Sequence, residues 1–431
     1  MSHLARPLFR AKTSLILLIL GALAVLPGCR GGGGPEWSGP PLVVEGPPFV
    51  AIERLDGPAP LVGDRVEGRA GDWLLRNERM AIVVTGAGPD GDRAGGAVID
   101  AAPVGGRDVL ETIHLHGTLG RRMIPLFHEV FHDAAADTAG RTLVARGRAG
   151  EHDDLMVETR ITLHAGSHAV RFVTTIINLG EGPLRTDGWG DGARWGDAAV
   201  FLPGISPDET PDERTVPFLA AAGEGTAYGW VVSDTLLQVR EKGAYLKSAA
   251  PAPLLRPGES ARYERVLLVR GGSWAEAADL AWGERGDIPG RILVAAVDPQ
   301  GVPMEGAVAE ARDDSGKLWG KGVTLASGMT ALPVPAGRYF LNLTHPHRRA
   351  RGEKRLSVGA GSLTRETCRL SDPGRLRLSA SDQRGRPVAA RWTLTDLDAG
   401  SRRFDSHPSS RGRGHLSPPG GNEILLPPGR Y

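Results

Sequence analysis

The chain has 431 residues, 41% of them apolar, enough to bury real cores and, at about 100–200 residues per domain, to divide into two to four domains. Its 51 Lys and Arg nearly cancel its 50 Asp and Glu, so no overall field draws in a nucleic acid, and nucleic-acid binding is excluded. The two cysteines, Cys29 and Cys368, make no disulfide framework: the first belongs to an export signal, and the second sits in the alternating stretch Leu363 to Leu370 as a small buried hydrophobe.

The N-terminus carries a basic head (Arg6, Arg10, Lys12), an apolar run from Leu15 to Leu26, and then Pro27-Gly28-Cys29. That order is a secretory signal, residues 1–29. The run is shorter than the roughly 20 residues a helix needs to cross a bilayer. Its end, Leu26-Pro27-Gly28-Cys29, resembles the lipobox of bacterial lipoproteins, which implies that Cys29 receives lipid and tethers the chain to a membrane. The alternative is a plain signal peptide cut at a small residue, with Cys29 left as a free thiol. Residues 30–49 read as a tether, because Gly31 to Gly34 and Pro35, Pro40, Pro41, Pro47 and Pro48 prevent regular structure. No Asp follows Cys29, which in the lipoproteins it resembles favours the outer membrane. The expected location is therefore the cell envelope.

Over residues 50–286, short alternating runs separated by Gly, Asp and Pro predict a large antiparallel sheet assembly rather than βαβ units. The strongest signal places Val157, Thr159, Ile161 and Leu163 on one face and Glu158, Arg160, Thr162 and His164 on the other. The turn Ala165-Gly166-Ser167-His168 then leads into a second strand, Ala169 to Leu179, completing a hairpin. Further strands are expected at Trp73 to Leu75, Ala81 to Val84, Tyr228 to Val232 and Tyr263 to Val269. Helix is scarce; the best candidate starts at Ser273, with Glu276 completing a capping box, and runs to Trp282.

Three constellations in this part carry chemistry. His114-Leu115-His116 has the spacing of a strand-borne metal site, although no further ligands can be placed beside it, and exposed or hydrogen-bonded histidines are the simpler expectation. His128-Glu129-Val130-Phe131-His132 spells H-E-x-x-H. On a helix the two histidines could hold zinc while Glu129 activates water, making a metalloprotease; on a strand they lie too far apart. The loop containing Asp187, Trp189, Asp191, Trp195 and Asp197 combines indoles with carboxylates, as sugar-binding platforms do. The simpler expectation is a Gly-rich turn in which Asp caps backbone amides and Trp covers the core.

Beyond Gly286 the chain repeats itself. The segment from Gly290 through Gly301 to Pro303 aligns with that from Gly374 through Gly385 to Pro387, and Pro335-Ala-Gly-Arg-Tyr339 aligns with Pro428-Gly-Arg-Tyr431. Each copy is read as a strand, a tight turn at Gly-x-Pro and a later strand entered through a Pro-Gly turn with Tyr on the core. The copies occupy residues 287–371 and 372–431, and the second stops where the first continues with Phe340-Leu341-Asn342-Leu343, so a longer functional unit is expected. In the first copy, His345-Pro346-His347-Arg348-Arg349-Ala350-Arg351 makes a basic hairpin tip, open to an anionic envelope polymer.

The repeat, through Gly290, Gly301, Pro303, Gly306-Ala307-Val308, Thr324, Gly328 and Pro335 to Tyr339, resembles the carboxypeptidase-regulatory-like (transthyretin-like) β-sandwich, an accessory module without catalytic residues. The first domain, through Gly71 to Asn77, Gly95 to Asp100 and Asn178-Leu179-Gly180, resembles the galactose-mutarotase-like β-supersandwich found in front of PHP-type metallohydrolases. The metal motifs of that hydrolase family are absent from these residues. The expectation is an all-β chain: a β-supersandwich followed by two immunoglobulin/transthyretin-like β-sandwich modules, the last one incomplete. Its expected role is binding or scaffolding at the envelope, with carbohydrate as the ligand and no cofactor. The alternatives are the non-catalytic front of a PHP-type hydrolase and the zinc protease centred on His128 and His132.

Overall fold

A computed structural model of the chain describes residues 48–431 apart from 89–94, 116–124, 138–139, 150–151, 186–189, 207–212, 234, 241–242, 251–252, 351, 389, 393, 398–400, 404–414 and 418–421. Cys29, His116, Asp187 and Trp189 lie outside the described residues.

Strict alternation of side chains builds two large antiparallel sheets. In Ala169–Asn178 every second residue is buried, so Val170, Phe172, Thr174 and Ile176 face inward while Arg171, Val173 and Thr175 face outward. Among the described residues, one sheet has nine strands in the order Val50–Arg54, Trp73–Asn77, Met80–Val84, Val98–Pro103, Thr112–His114, Gly190–Arg194, Tyr245–Ser248, Leu237–Arg240, Glu213–Val216. The other has eight: Ala199–Phe201, Leu219–Gly223, Thr226–Val232, Ser260–Gly271, Ala169–Asn178, His152–His164, Gly140–Ala149, Pro125–His132. Leu75, Ile82, Val98 and Ile113 of the first meet Ile161, Phe172, Trp230 and Leu267 of the second in one core. Two sheets sharing a core form the expected supersandwich.

The helix Trp274–Glu284 starts where the capping residues place it: the Glu276 carboxylate accepts from the Ser273 N–H at 2.7 Å and its hydroxyl at 2.8 Å. Its alanines make it thin enough to lie between the eight-stranded sheet and the sheets that follow it. Ala277, Ala278 and Ala281 pack with Trp282 on the outer face of the eight-stranded sheet, against Ala220, Val231 and Leu268. Ala275 instead enters the core of the following module. The joint is polar as well: the Ser273 hydroxyl accepts from the Val323 N–H at 3.2 Å, and the Lys321 ammonium sits 4.4 Å from the Trp274 ring centre. A short bridge between Ile205 and Leu318 adds two backbone bonds, at 2.7 and 3.0 Å.

The first repeat is a sandwich of a three-stranded and a five-stranded sheet around Ile292, Val294, Ala309, Leu332, Leu341 and Cys368. Its strand Gly290–Val297 pairs antiparallel with Met329–Val334 and parallel with Leu363–Arg369. Burial pushes the Cys368 thiol up to about 11, keeping it an inert hydrophobe. The predicted turns recur bond for bond. Asp298 Oδ1 accepts from the N–H groups of Gln300 and Val302 at 2.9 and 2.8 Å; Asp382 Oδ1 accepts from those of Arg384 and Arg386, both at 2.9 Å. Gly301 and Gly385 take φ of 88° and 75°, the left-handed conformation that the turn requires and glycine supplies. In the second repeat the described strands form three two-stranded ladders, the longest joining Gly374–Leu378 to Asn422–Leu426.

Candidate functional site

The indole-and-carboxylate loop does not form a ligand platform from its described residues. Asp191 lies on strand Gly190–Arg194 facing the core, where its carboxylate takes two bonds from Arg265, at 3.0 and 3.1 Å, and one from the Tyr263 hydroxyl at 3.0 Å. Both partners of the ion pair have fully buried side chains. Trp195 is buried too and donates Nε1–H to the Gly243 carbonyl at 3.0 Å. Asp197 reaches the surface, in a two-bond pair with Arg65 at 3.0 and 3.1 Å that holds its carboxyl below the usual range. The sequence reading of Asp191 and Trp195 as ligand-facing is corrected: strand alternation turns Asp191 inward, and Trp195 covers the core.

The H-E-x-x-H motif lies on strand Pro125–His132, not on a helix. At about 3.3 Å per residue, His128 and His132 stand roughly 13 Å apart along the strand, beyond the reach of one zinc ion. His128 is exposed, whereas His132 Nε2 lies 2.7 Å from Asp137 Oδ2. The protease reading is therefore withdrawn. His114 ends strand Thr112–His114, opposite Gly192. Among the described residues, no group of three or more His, Cys, Asp or Glu is placed to hold a metal ion.

The structure instead assembles a groove that the sequence did not announce. It has a volume of about 560 Å³ and lies where the C-terminal end of the helix meets the outer face of the eight-stranded sheet. Strand Ala169–Asn178 contributes Arg171, strand Ser260–Gly271 contributes Glu264, and the helix end contributes Glu284 and Arg285. Ser233 and Thr235 add hydroxyls, and Val231, Val232 and Leu236 supply apolar surface. Arg171 is bonded to Glu284, offsetting a carboxylate placed unfavourably at the negative end of the helix dipole. Arg285 donates Nη1–H to the carbonyls of Pro217 and Thr235 at 3.2 and 2.9 Å, fixing the groove wall. Glu264 pairs with Arg262 at 2.6 Å.

Next to the groove the same sheet face continues as a polar row. Arg146, Glu158, Thr175 and Arg262 are successive cross-strand neighbours, spanning about 14 Å at ~4.8 Å per strand. Arg146 binds Glu158 at 2.7 Å and lies 5.5 Å from the Phe131 ring centre. Guanidinium donors, carboxylate acceptors and hydroxyls side by side can satisfy a ligand that both donates and accepts at many positions.

A second polar cluster missed by the sequence reading is internal. Asp100 and Asp108 are fully buried, and desolvation raises their pKa values to about 6 and about 7. Asp108 Oδ1 accepts from the N–H groups of Ala101 and Leu110, both at 3.1 Å, and from Tyr228 Oη at 3.2 Å. Through Ala101 of one sheet and Tyr228 of the other it ties the two together.

No protein-family model matches the chain, and no curated protein matches it. Among solved structures, a TPR-domain containing protein from Parabacteroides distasonis is 12% identical with a TM-score of 0.36, over 52% of this chain and 55% of its own. The chain thus spans about half the length of that protein. A galactose mutarotase-like protein from Clostridium acetobutylicum is 9% identical with a TM-score of 0.33, over 52% of this chain and 99% of its own. A Synechocystis protein is 11% identical with a TM-score of 0.32, over 51% and 99%. At TM-scores below 0.5 these likenesses carry no functional argument, and the architecture rests on the chain's own sheets.

Proposed function

We propose that this chain is a lipoprotein of the cell envelope, anchored in the outer membrane through lipid on Cys29, whose supersandwich binds carbohydrate. The observation that carries the binding role is the groove of about 560 Å³, lined by the guanidinium groups of Arg171 and Arg285, the carboxylates of Glu264 and Glu284 and the hydroxyls of Ser233 and Thr235. Its size falls within the roughly 300–1,000 Å³ of small-ligand sites. Sugar hydroxyls accept from guanidinium and donate to carboxylate, and the row Arg146, Glu158, Thr175, Arg262 extends the same chemistry along the sheet. The anchor is supported by the basic head, the short apolar run and the Gly28-Cys29 pair.

Two measurements test the proposal. Labelled fatty acid is incorporated by the wild-type chain in a bacterial host and not by Cys29→Ser; equal labelling of both refutes the anchor. The full chain, in detergent, is screened on an array of envelope and plant oligosaccharides. Reproducible binding of at least one glycan is expected, and uniform silence across neutral and acidic glycans refutes carbohydrate as the ligand.

A further inference from the structure

The basic hairpin tip at His345 to Arg349 takes no part in the groove, and the structure gives it a different setting from an open tip. It borders a pocket of about 330 Å³ where the first repeat meets the second. Asn342 and Thr344 stand on strand Gly337–His345, Arg348 and Arg349 on the short return strand, and Pro427 closes the pocket from the second repeat. Thr344 is the cross-strand partner of Arg349, so hydroxyl and guanidinium share one wall.

The cations are held in place. His347 Nδ1 lies 3.0 Å from the Leu425 carbonyl of the second repeat, and Arg348 donates Nη1–H to the Ser371 carbonyl at 3.1 Å. His345 Nδ1 accepts from the His347 N–H at 3.1 Å, folding the tip back on itself. Burial, then the charges of His347 and Arg348, lower the proton affinity of His345, as expected where the local potential is positive. The opposing charges are Glu353, in the pocket wall, and Asp372, 3.9 Å from Arg348.

We propose that this pocket binds a phosphate group carried on a larger molecule, at a site separate from the groove. Arg348 and Arg349 of the return strand both line the pocket, and the Asn342 amide and Thr344 hydroxyl stand on the adjoining strand. A tetrahedral oxyanion takes bonds from both directions, which a planar carboxylate does less completely. The cavity exceeds a phosphate alone, leaving room for the unit that carries it. Because the site is built from both repeats, occupancy braces the second repeat against the first.

The test is calorimetric titration of the full chain in detergent with glucose 1-phosphate, inorganic phosphate and glucuronate. The proposal expects saturable binding of both phosphates with glucuronate at least about tenfold weaker, and a loss of about tenfold or more in Arg349→Ala. Glu353→Gln removes an opposing charge and tightens binding, an effect that a purely structural role for the arginines does not give. Arg348 also clamps Ser371, so Arg349→Ala, which spares that clamp, is the deciding variant. Absence of saturable phosphate binding, equal binding of glucuronate, or unchanged affinity in Arg349→Ala overturns the site.

Discussion

Arg265 and Asp191 form a two-bond ion pair, at 3.0 and 3.1 Å, that joins the two sheets of the supersandwich with both side chains fully buried. Arg265 also donates to Thr174, whose hydroxyl lies 2.7 Å from that of Thr159, and its guanidinium stacks 4.6 Å from the Tyr263 ring centre. Both oxygens of Asp191 and the Nε, Nη1 and Nη2 groups of Arg265 have partners, which is what lets two charges stay inside a core.

Removing one partner strands the other. Asp191→Ala is expected to cost about 3–5 kcal/mol of folding free energy, because an unpaired guanidinium remains in the core. Equilibrium urea unfolding measures this. A loss under about 1 kcal/mol would show that Asp191 faces solvent, as the ligand-platform reading of its loop had it.

The Asp100–Asp108 cluster gives the fold a pH dependence of definite sign. Both carboxyls have folded pKa values, about 6 and about 7, above the ordinary 3.8. Their stabilising contribution is full below about pH 4, where both states are protonated, and is lost as pH rises toward 7 and the unfolded chain releases protons first. Thermal unfolding is expected at a higher temperature at pH 5 than at pH 8. Asp108→Asn, which keeps the acceptor oxygen and cannot ionise, flattens that difference; an unchanged pH profile in this variant counts against the assignment.

The helix joint leaves no room at Gly322. A Cβ there would lie 2.7 Å from Thr330 Oγ1, 2.8 Å from Leu332 Cδ2 and 2.9 Å from Ala275 Cβ. Gly322→Val is expected to cost about 1–3 kcal/mol through overpacking. Amide exchange should speed up in residues 274–284 and 318–323 together. Faster exchange in the second segment alone would mean that the helix does not bear on the repeat.

The two repeats share a tyrosine bond. The Tyr339 hydroxyl donates to the Pro335 carbonyl at 2.7 Å, and the Tyr431 hydroxyl donates to the Pro427 carbonyl at 2.6 Å. Tyr339→Phe and Tyr431→Phe should each cost about 0.5–1.5 kcal/mol, with Tyr339 the larger because its ring is buried and Tyr431 is partly exposed. Chemical denaturation of the single variants checks both the size and the order.

Much of the architecture is legible in the residues because alternation is a local code. Val157 to Leu163 and Ala169 to Asn178 declare their faces, Ser273 and Glu276 declare a helix start, and the paired glycines of the repeat declare its turns. What alternation cannot give is the partner across a sheet. Asp191 and Arg265 are 74 positions apart, so a carboxylate in a Gly-rich, Trp-rich stretch looks like a surface ligand until the pairing is known. The groove is hidden for the same reason. Arg171, Glu264 and Glu284 come from separate elements, and none carries a local motif. The H-E-x-x-H stretch misleads in the opposite direction, being a complete local motif on the wrong secondary structure.

The most direct test of the account is the affinity of the array-selected oligosaccharide for the full chain, measured by calorimetry for wild type, Arg171→Ala, Glu264→Gln and Arg386→Ala. Arg171 and Glu264 line the groove, whereas Arg386 lies in the second repeat, bonded to Asp382. A loss of about tenfold or more is expected in each groove variant, with Arg386→Ala binding as wild type. Wild-type affinity in both folded groove variants would contradict it, and place carbohydrate elsewhere on the chain.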